Sequence, residues 1–203
     1  MKFRIAALAF CVLALRAQAA TYTLEPNYTQ GIFSWDHLGF SHPTGQFAQG
    51  TGMLEFDAMN PTMASLQVTI PLASIATGVP DLDEHLKSED FFDVAKFPTA
   101  TFASMKVEQG MGKERIRVHG NLTIHGVTRP VTLEVTLLKV GSNARTGVPT
   151  VGFTATASVK RSDFGLGAFV PQVGDEIQIR LTTQAADAKA QAAYLEKQEA
   201  QKK

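Results

Sequence analysis

Apolar and polar residues alternate along most of this chain. The stretch GNLTIHGVTRPVTLEV, Gly120 to Val135, shows it plainly: Leu122, Ile124, Val131, Leu133 and Val135 are spaced by Thr123, His125, Thr132 and Glu134. Successive side chains of a strand point to opposite faces, so this spacing predicts a hairpin with one apolar face, bent between Gly126 and Pro130. The same alternation, bounded by Gly, Pro, Asn and Asp, predicts about eight or nine strands. They lie near Tyr22 to Glu25, Gly31 to Leu38, Gln46 to Asp57, Ser65 to Pro71, Thr99 to Val107, Arg115 to Ile124, Val131 to Val140, Val151 to Lys160 and Asp175 to Thr183.

Most connections between these segments are short, as in an antiparallel meander. A single sheet of that many strands is expected to close into a barrel, which removes its exposed edges. One face is consistently apolar, as in Phe33, Trp35 and His37, in Leu54 and Phe56, and in Phe153, Ala155, Ala157 and Val159. The connection Ala73 to Pro98 breaks the rhythm. Asp81 with Glu84 resembles a capping box, Asp83 to Lys87 is expected as a short helix, and Ser88 opens a turn ahead of Phe91 and Phe92. A connection of that length in a compact domain is a lid or a helical excursion, and it is the expected gate.

The ends change the picture. MKFRIAALAFCVLALRAQAA has a basic start, an apolar run from Ile5 to Leu15 and a small-residue cleavage site, the pattern of a secretory signal peptide over residues 1–19. That run is well short of the roughly 20 residues needed to cross a bilayer. Cleavage near Ala20 sends the product to the periplasm or the exterior and removes Cys11, the one cysteine, so stability must come from burial. Residues 20–186 suit one domain, and 187–203, rich in Ala, Lys and Gln, a helical, frayed tail. Without Lys2, Arg4 and Arg16 the chain carries 19 acidic against 16 basic residues, which argues against a nucleic-acid partner. No second apolar run is long enough for a transmembrane segment.

The catalytic inventory is thin. The chain has no nucleophile elbow, no phosphate-cradling glycine loop, no H-E-x-x-H and no thiol after cleavage, so no catalytic residue is assigned. His119 and His125 share a strand face but stand roughly 20 Å apart, too far for one ion. His37 and His42 flank a turn without a third ligand, and the acids Asp81, Asp83, Glu84, Glu89 and Asp90 lack a calcium-loop spacing. No metal and no cofactor are expected. The aromatics Phe91, Phe92, Phe97 and Phe102 read first as core, some of them also as ligand contacts.

Three separated segments, LTIHGVTRPVTLEV, HLKSEDFFDVAKFPTATF and KRSDFGLG, together resemble the YceI-like family of bacterial secreted, lipocalin-like proteins, often described as polyisoprenoid-binding. The resemblance runs from about Thr21 to Gln184. It implies an all-β, eight-stranded antiparallel barrel with a helical segment in the long connection, enclosing an apolar tunnel for a lipid tail. It carries no catalytic residues to transfer. The chain departs from the family pattern at Tyr28, where many relatives have histidine, and at Leu82, where a basic residue commonly precedes the Asp of D-x-H-L.

An eight-stranded barrel is at the size where side chains either fill the interior or leave room for one small ligand. The combined expectation is an exported binding protein, not an enzyme, that carries or sequesters a long isoprenoid lipid such as a polyprenyl phosphate or a quinone. Its cavity is expected to be lined by Phe33, Trp35, Leu54, Phe56, Val68, Ile70, Phe102, Leu122, Ile124, Leu133 and Phe153. Phe91, Phe92 and Phe164 are expected near the closures, with His37 and Arg161 as polar contacts. A homodimer is compatible with exposed barrel faces. The rival readings are an enzyme using His37, His85 or Asp163 on a lipid-like substrate, and a fully packed interaction module.

Overall fold

The computed structural model describes residues 19–202, so all but the last residue of the expected signal peptide lies outside the described residues. Ten strands form one antiparallel sheet: β1 Ala20–Leu24, β2 Gln30–Ser34, β3 Thr44–Phe47, β4 Thr51–Phe56, β5 Ser65–Pro71, β6 Thr99–Gln109, β7 Arg115–Ile124, β8 Val127–Ser142, β9 Pro149–Lys160 and β10 Glu176–Asp187. The ladder β1-β4-β5-β6-β7-β8-β9-β10 returns to β1, which closes a ring of eight. β2 and β3 are not extra staves. β1 and β2 follow one another along β10, with Leu24 opposite Ala185 and Gln30 opposite Thr182, separated by the 3-10 turn Pro26–Tyr28. β3 and β4 follow one another in the same way, each beside its half of that interrupted stave.

The strand expected over Gln46 to Asp57 is therefore two. Gln49 sits at a φ of 60°, which strand backbone cannot hold, and the Gly50 that follows lies against the buried Thr29 side chain. The bend in Gly120 to Val135 is also tighter than expected. His125 and Gly126, at φ 53° and 73°, form a two-residue turn, while Pro130 lies inside β8 opposite Asn121. Proline is tolerated there because β8 pairs with β9 only from Glu134 onward, leaving no ladder bond for the missing N–H.

Two bulges keep the inward rows apolar. Between Ser104 and Lys106 the register of β6 on β7 shifts by one, placing Val107 opposite Val118 and leaving Lys106 exposed. Between Leu137 and Lys139 the register of β8 on β9 shifts likewise, and Lys139 is exposed. Uninterrupted alternation from Phe102 or from Leu137 would have turned each lysine into the barrel.

The long connection holds α1, Pro80–Lys87, which starts earlier than expected because Pro80 occupies its first turn, where a missing N–H is harmless. Asp81 does not cap it. Asp83 instead reaches back, its Oδ1 accepting from the Thr77 hydroxyl at 2.6 Å and the Thr77 N–H at 2.7 Å. After β10 the chain turns into α2, Ala188–Ala200, capped by Asp187, whose Oδ1 accepts the Ala190 N–H at 2.8 Å. No described helix is long and apolar enough to cross a membrane.

Candidate functional site: an apolar cavity in the barrel

The inward rows do not meet. They enclose a cavity of about 670 Å³, within the range of small-molecule sites. All sixteen residues expected along it or at its closures line it, including His37, Arg161 and Phe164. The same parity supplies wall residues not singled out from sequence, such as Leu24, Leu66, Val118, Ile179 and Leu181. Where β10 runs into α2, the buried Tyr22, Val151 and Ala185 pack the end of the barrel and lie outside the cavity wall. At the opposite end the wall is not strand. Leu82, His85 and Leu86, three and four residues apart on α1, form a roof with Phe91, Phe92, Phe169 and Val173.

Aromatic rings run along the wall from barrel to roof. Trp35 stacks on Phe33 at 5.7 Å, Phe33 on Phe47 at 5.2 Å, and Phe47 meets Phe92 edge-on at 5.6 Å. Beside them His85 packs edge-on to Phe91 at 5.0 Å, and Phe91 stacks on Phe169 at 6.3 Å. Two rings lie flat because the neighbouring inward residue is glycine. A Cβ on Gly45 would overlap the Phe33 ring, and one on Gly120 the Phe102 ring. Rings laid over glycine cover the wall without projecting into the lumen.

Polar groups along the cavity are few and mostly engaged. The Thr29 and Thr183 hydroxyls bond each other at 2.7 Å, with Thr29 buried. Arg161 is buried and borders the cavity, but its guanidinium is held by backbone: Nε donates to Gly174 O, Nη1 to Leu166 O and Ala168 O, and Nη2 to Val173 O. Four of its five N–H groups are thus taken, so it chiefly organises the loop 162–174 and has one N–H left for a ligand. Burial pulls its pKa below the ordinary arginine value, while Asp175 pulls the other way. His37 sits at the mouth, its backbone N–H donating to Ser41 O at 2.9 Å. Asp163 is exposed and does not line the cavity. His119 lies on the outside of the barrel, bonded to Thr132 and Glu108, and His125 packs on Phe97 at 4.7 Å.

Among the described residues no three His, Cys, Asp or Glu side chains gather as a metal site, and no buried side-chain polar atom lacks a partner. What the cavity presents to a ligand is area and shape, with few unsatisfied groups that would fix a polar head.

A closed antiparallel barrel around an apolar cavity defines a binding fold for small hydrophobic molecules. The pattern of the YceI-like domain matches residues 22–185, and the chain belongs to that family. It is 34% identical to Protein YceI of Salmonella arizonae, over 83% of this chain and 87% of the relative. Among solved structures, BcnA of Burkholderia cenocepacia superposes with a TM-score of 0.68 at 27% identity, covering 77% of this chain and 95% of that one. A polyisoprenoid binding domain from Saccharophagus degradans, implicated in plant cell wall breakdown, shares the fold with a TM-score of 0.64 at 13% identity, covering 83% and 99%. None of these carries an enzymatic name.

Proposed function

We propose that the protein is an exported carrier that takes one long isoprenoid chain, of a polyprenyl phosphate or a quinone, into the barrel. The observation that carries this is the 670 Å³ cavity with its almost wholly hydrocarbon wall. The name of the Saccharophagus degradans neighbour supports the ligand class, and the signal-like amino terminus supports export. At about 0.8 kcal/mol per CH₂ removed from water, ten buried groups contribute roughly 8 kcal/mol before ordering costs. That is adequate for carriage, and it discriminates weakly among tails of similar girth.

The test is titration of the purified chain with a polyprenyl phosphate and an isoprenoid quinone, read as a mass shift in native mass spectrometry. Ala157 lines the cavity from β9, so Ala157→Phe fills the lumen with a ring; it should weaken binding about tenfold or more while circular dichroism stays that of the parent. A barrel that purifies empty and refuses both lipids would sink the carrier reading.

A further inference from the structure

The apolar wall continues past the roof to the outside. Leu38, Phe40, Val79, Phe169 and Val170 are all exposed, Phe40 at 91% and Phe169 at 61%. They belong to three segments around the mouth: the turn 36–41, the residue ahead of α1 and the loop 167–173. The first and third are tied by the bridge between His37 and Val173 and by the Gly174 N–H donating to Asp36 O at 2.8 Å. The α1 segment joins them through the His85 ring, 6.5 Å from Phe169. Phe169 in turn stacks on Phe91, a cavity residue. One apolar surface therefore runs from the lumen to the loop tips. The exposed methionines Met59, Met63 and Met111 border no part of the cavity.

The backbone holds these tips outward at a cost. Leu38 and Phe169 adopt φ of 59° and 62°, a region bulky side chains rarely occupy. The Gly39 N–H on Asp36 Oδ1 at 2.9 Å and the Val173 N–H on Phe169 O at 2.8 Å fix the two turns. Neither the strain nor the exposure stabilises the protein alone in water. The exposure is accounted for if the tips that this backbone holds outward meet an apolar phase.

We infer that this rim docks on a lipid bilayer, with Leu38, Phe40 and Phe169 dipping below the headgroups, so that a chain passes between bilayer and lumen without crossing water. Apolar side chains buried in the interface supply the attraction. The charge around the mouth selects the surface. Residues 79–96 carry Asp81, Asp83, Glu84, Glu89, Asp90 and Asp93 against only Lys87 and Lys96, so an anionic surface repels the rim and a zwitterionic one accepts it. Such docking rests on the carrier reading for its purpose, yet vesicle binding is measurable without cargo.

The experiment is flotation of the lipid-stripped chain with vesicles of phosphatidylcholine and phosphatidylethanolamine. The parent should rise with the vesicles, less so when phosphatidylglycerol is added at low salt. Leu38→Asn combined with Phe40→Ser should lower the partition coefficient about tenfold or more. Isoprenoid capacity should not change, because neither residue lines the cavity. A parent that stays in the aqueous layer, or a double variant that floats as well as a floating parent, overturns the inference. So does a parent that ignores vesicles but forms a dimer which the same substitutions dissolve; that result gives the rim to a second copy. A parent that floats yet takes up no isoprenoid refutes the carrier reading alone and leaves the docking surface standing.

Discussion

Inward glycines shape the cavity as much as its aromatics do. Gly120 occupies the inward row of β7 between Val118 and Leu122, and both the Phe102 ring and the Ala103 carbonyl oxygen lie where its Cβ would go. The ring can swing into the lumen, but the carbonyl cannot move without moving β6. Gly120→Ala is therefore expected to lower stability by about 1–3 kcal/mol in urea unfolding and to reduce isoprenoid capacity together. At Gly45 only the Phe33 ring is in the way, so Gly45→Ala should reduce capacity with the smaller loss of stability. An outcome in which Gly45→Ala is the more destabilising would show that these rings are not what fills the space. Arg161 is the other residue whose role its identity alone hides. Its planar head spans four carbonyl oxygens that a lysine cannot reach together, so Arg161→Lys should cost about 2–4 kcal/mol and speed amide exchange across 166–174. The sequence pointed to Arg161 as a polar contact of the cavity and to neither glycine as part of its wall. It could not say which ring covers which glycine, or that the arginine faces backbone, because both depend on the pairing of distant strands.

Elements were legible to the extent that period two was unbroken. β5, β7 and β9 lie close to where alternation put them, and every expected wall residue lines the lumen because parity along a strand admits only two answers. The failures cluster where parity is reset: at Gln49 and at the bulges before Lys106 and Lys139. The roof was half legible, since Phe91 and Phe92 stood out by composition whereas Phe169 and Val173 sit in a loop with no period to read. α1 is held to the barrel by the clasp between Asp83 and Thr77. The Thr77 hydroxyl donating to it is the main cause of the Asp83 carboxyl lying below its ordinary value. A carboxyl depressed in the folded state contributes fully above its unfolded value near 3.8, and the contribution fades as pH falls through the lower folded value. Acidification below the ordinary aspartate range should thus loosen the roof. Amide exchange at Leu86, corrected for its intrinsic pH dependence, should quicken there in the parent and show no such step in Asp83→Asn, which has no proton to gain.

At the scale of the whole molecule, the seam at β10 decides what can be removed. β10 pairs with β9 from Glu176 to Ala186, with β2 from Gln178 to Thr182 and with β1 from Ala185 to Asp187, so its last three residues are what join β1 to the ring. α2 lies beyond that seam, has no buried residue, and follows the end of the YceI-like match at residue 185. Ending the chain at Asp187 should then cost no more than about 1 kcal/mol, roughly 2–4 °C in Tm for a domain of this size, and leave isoprenoid capacity intact. Ending it at Gln184 removes only three residues more but takes with them the β1 pairing and the fully buried Ala185. An unpaired edge on β1 and an open lumen should follow, giving aggregation on size exclusion and loss of bound lipid. If the two truncations behave alike, in either direction, closure of the ring at β1 and β10 is not what maintains the cavity.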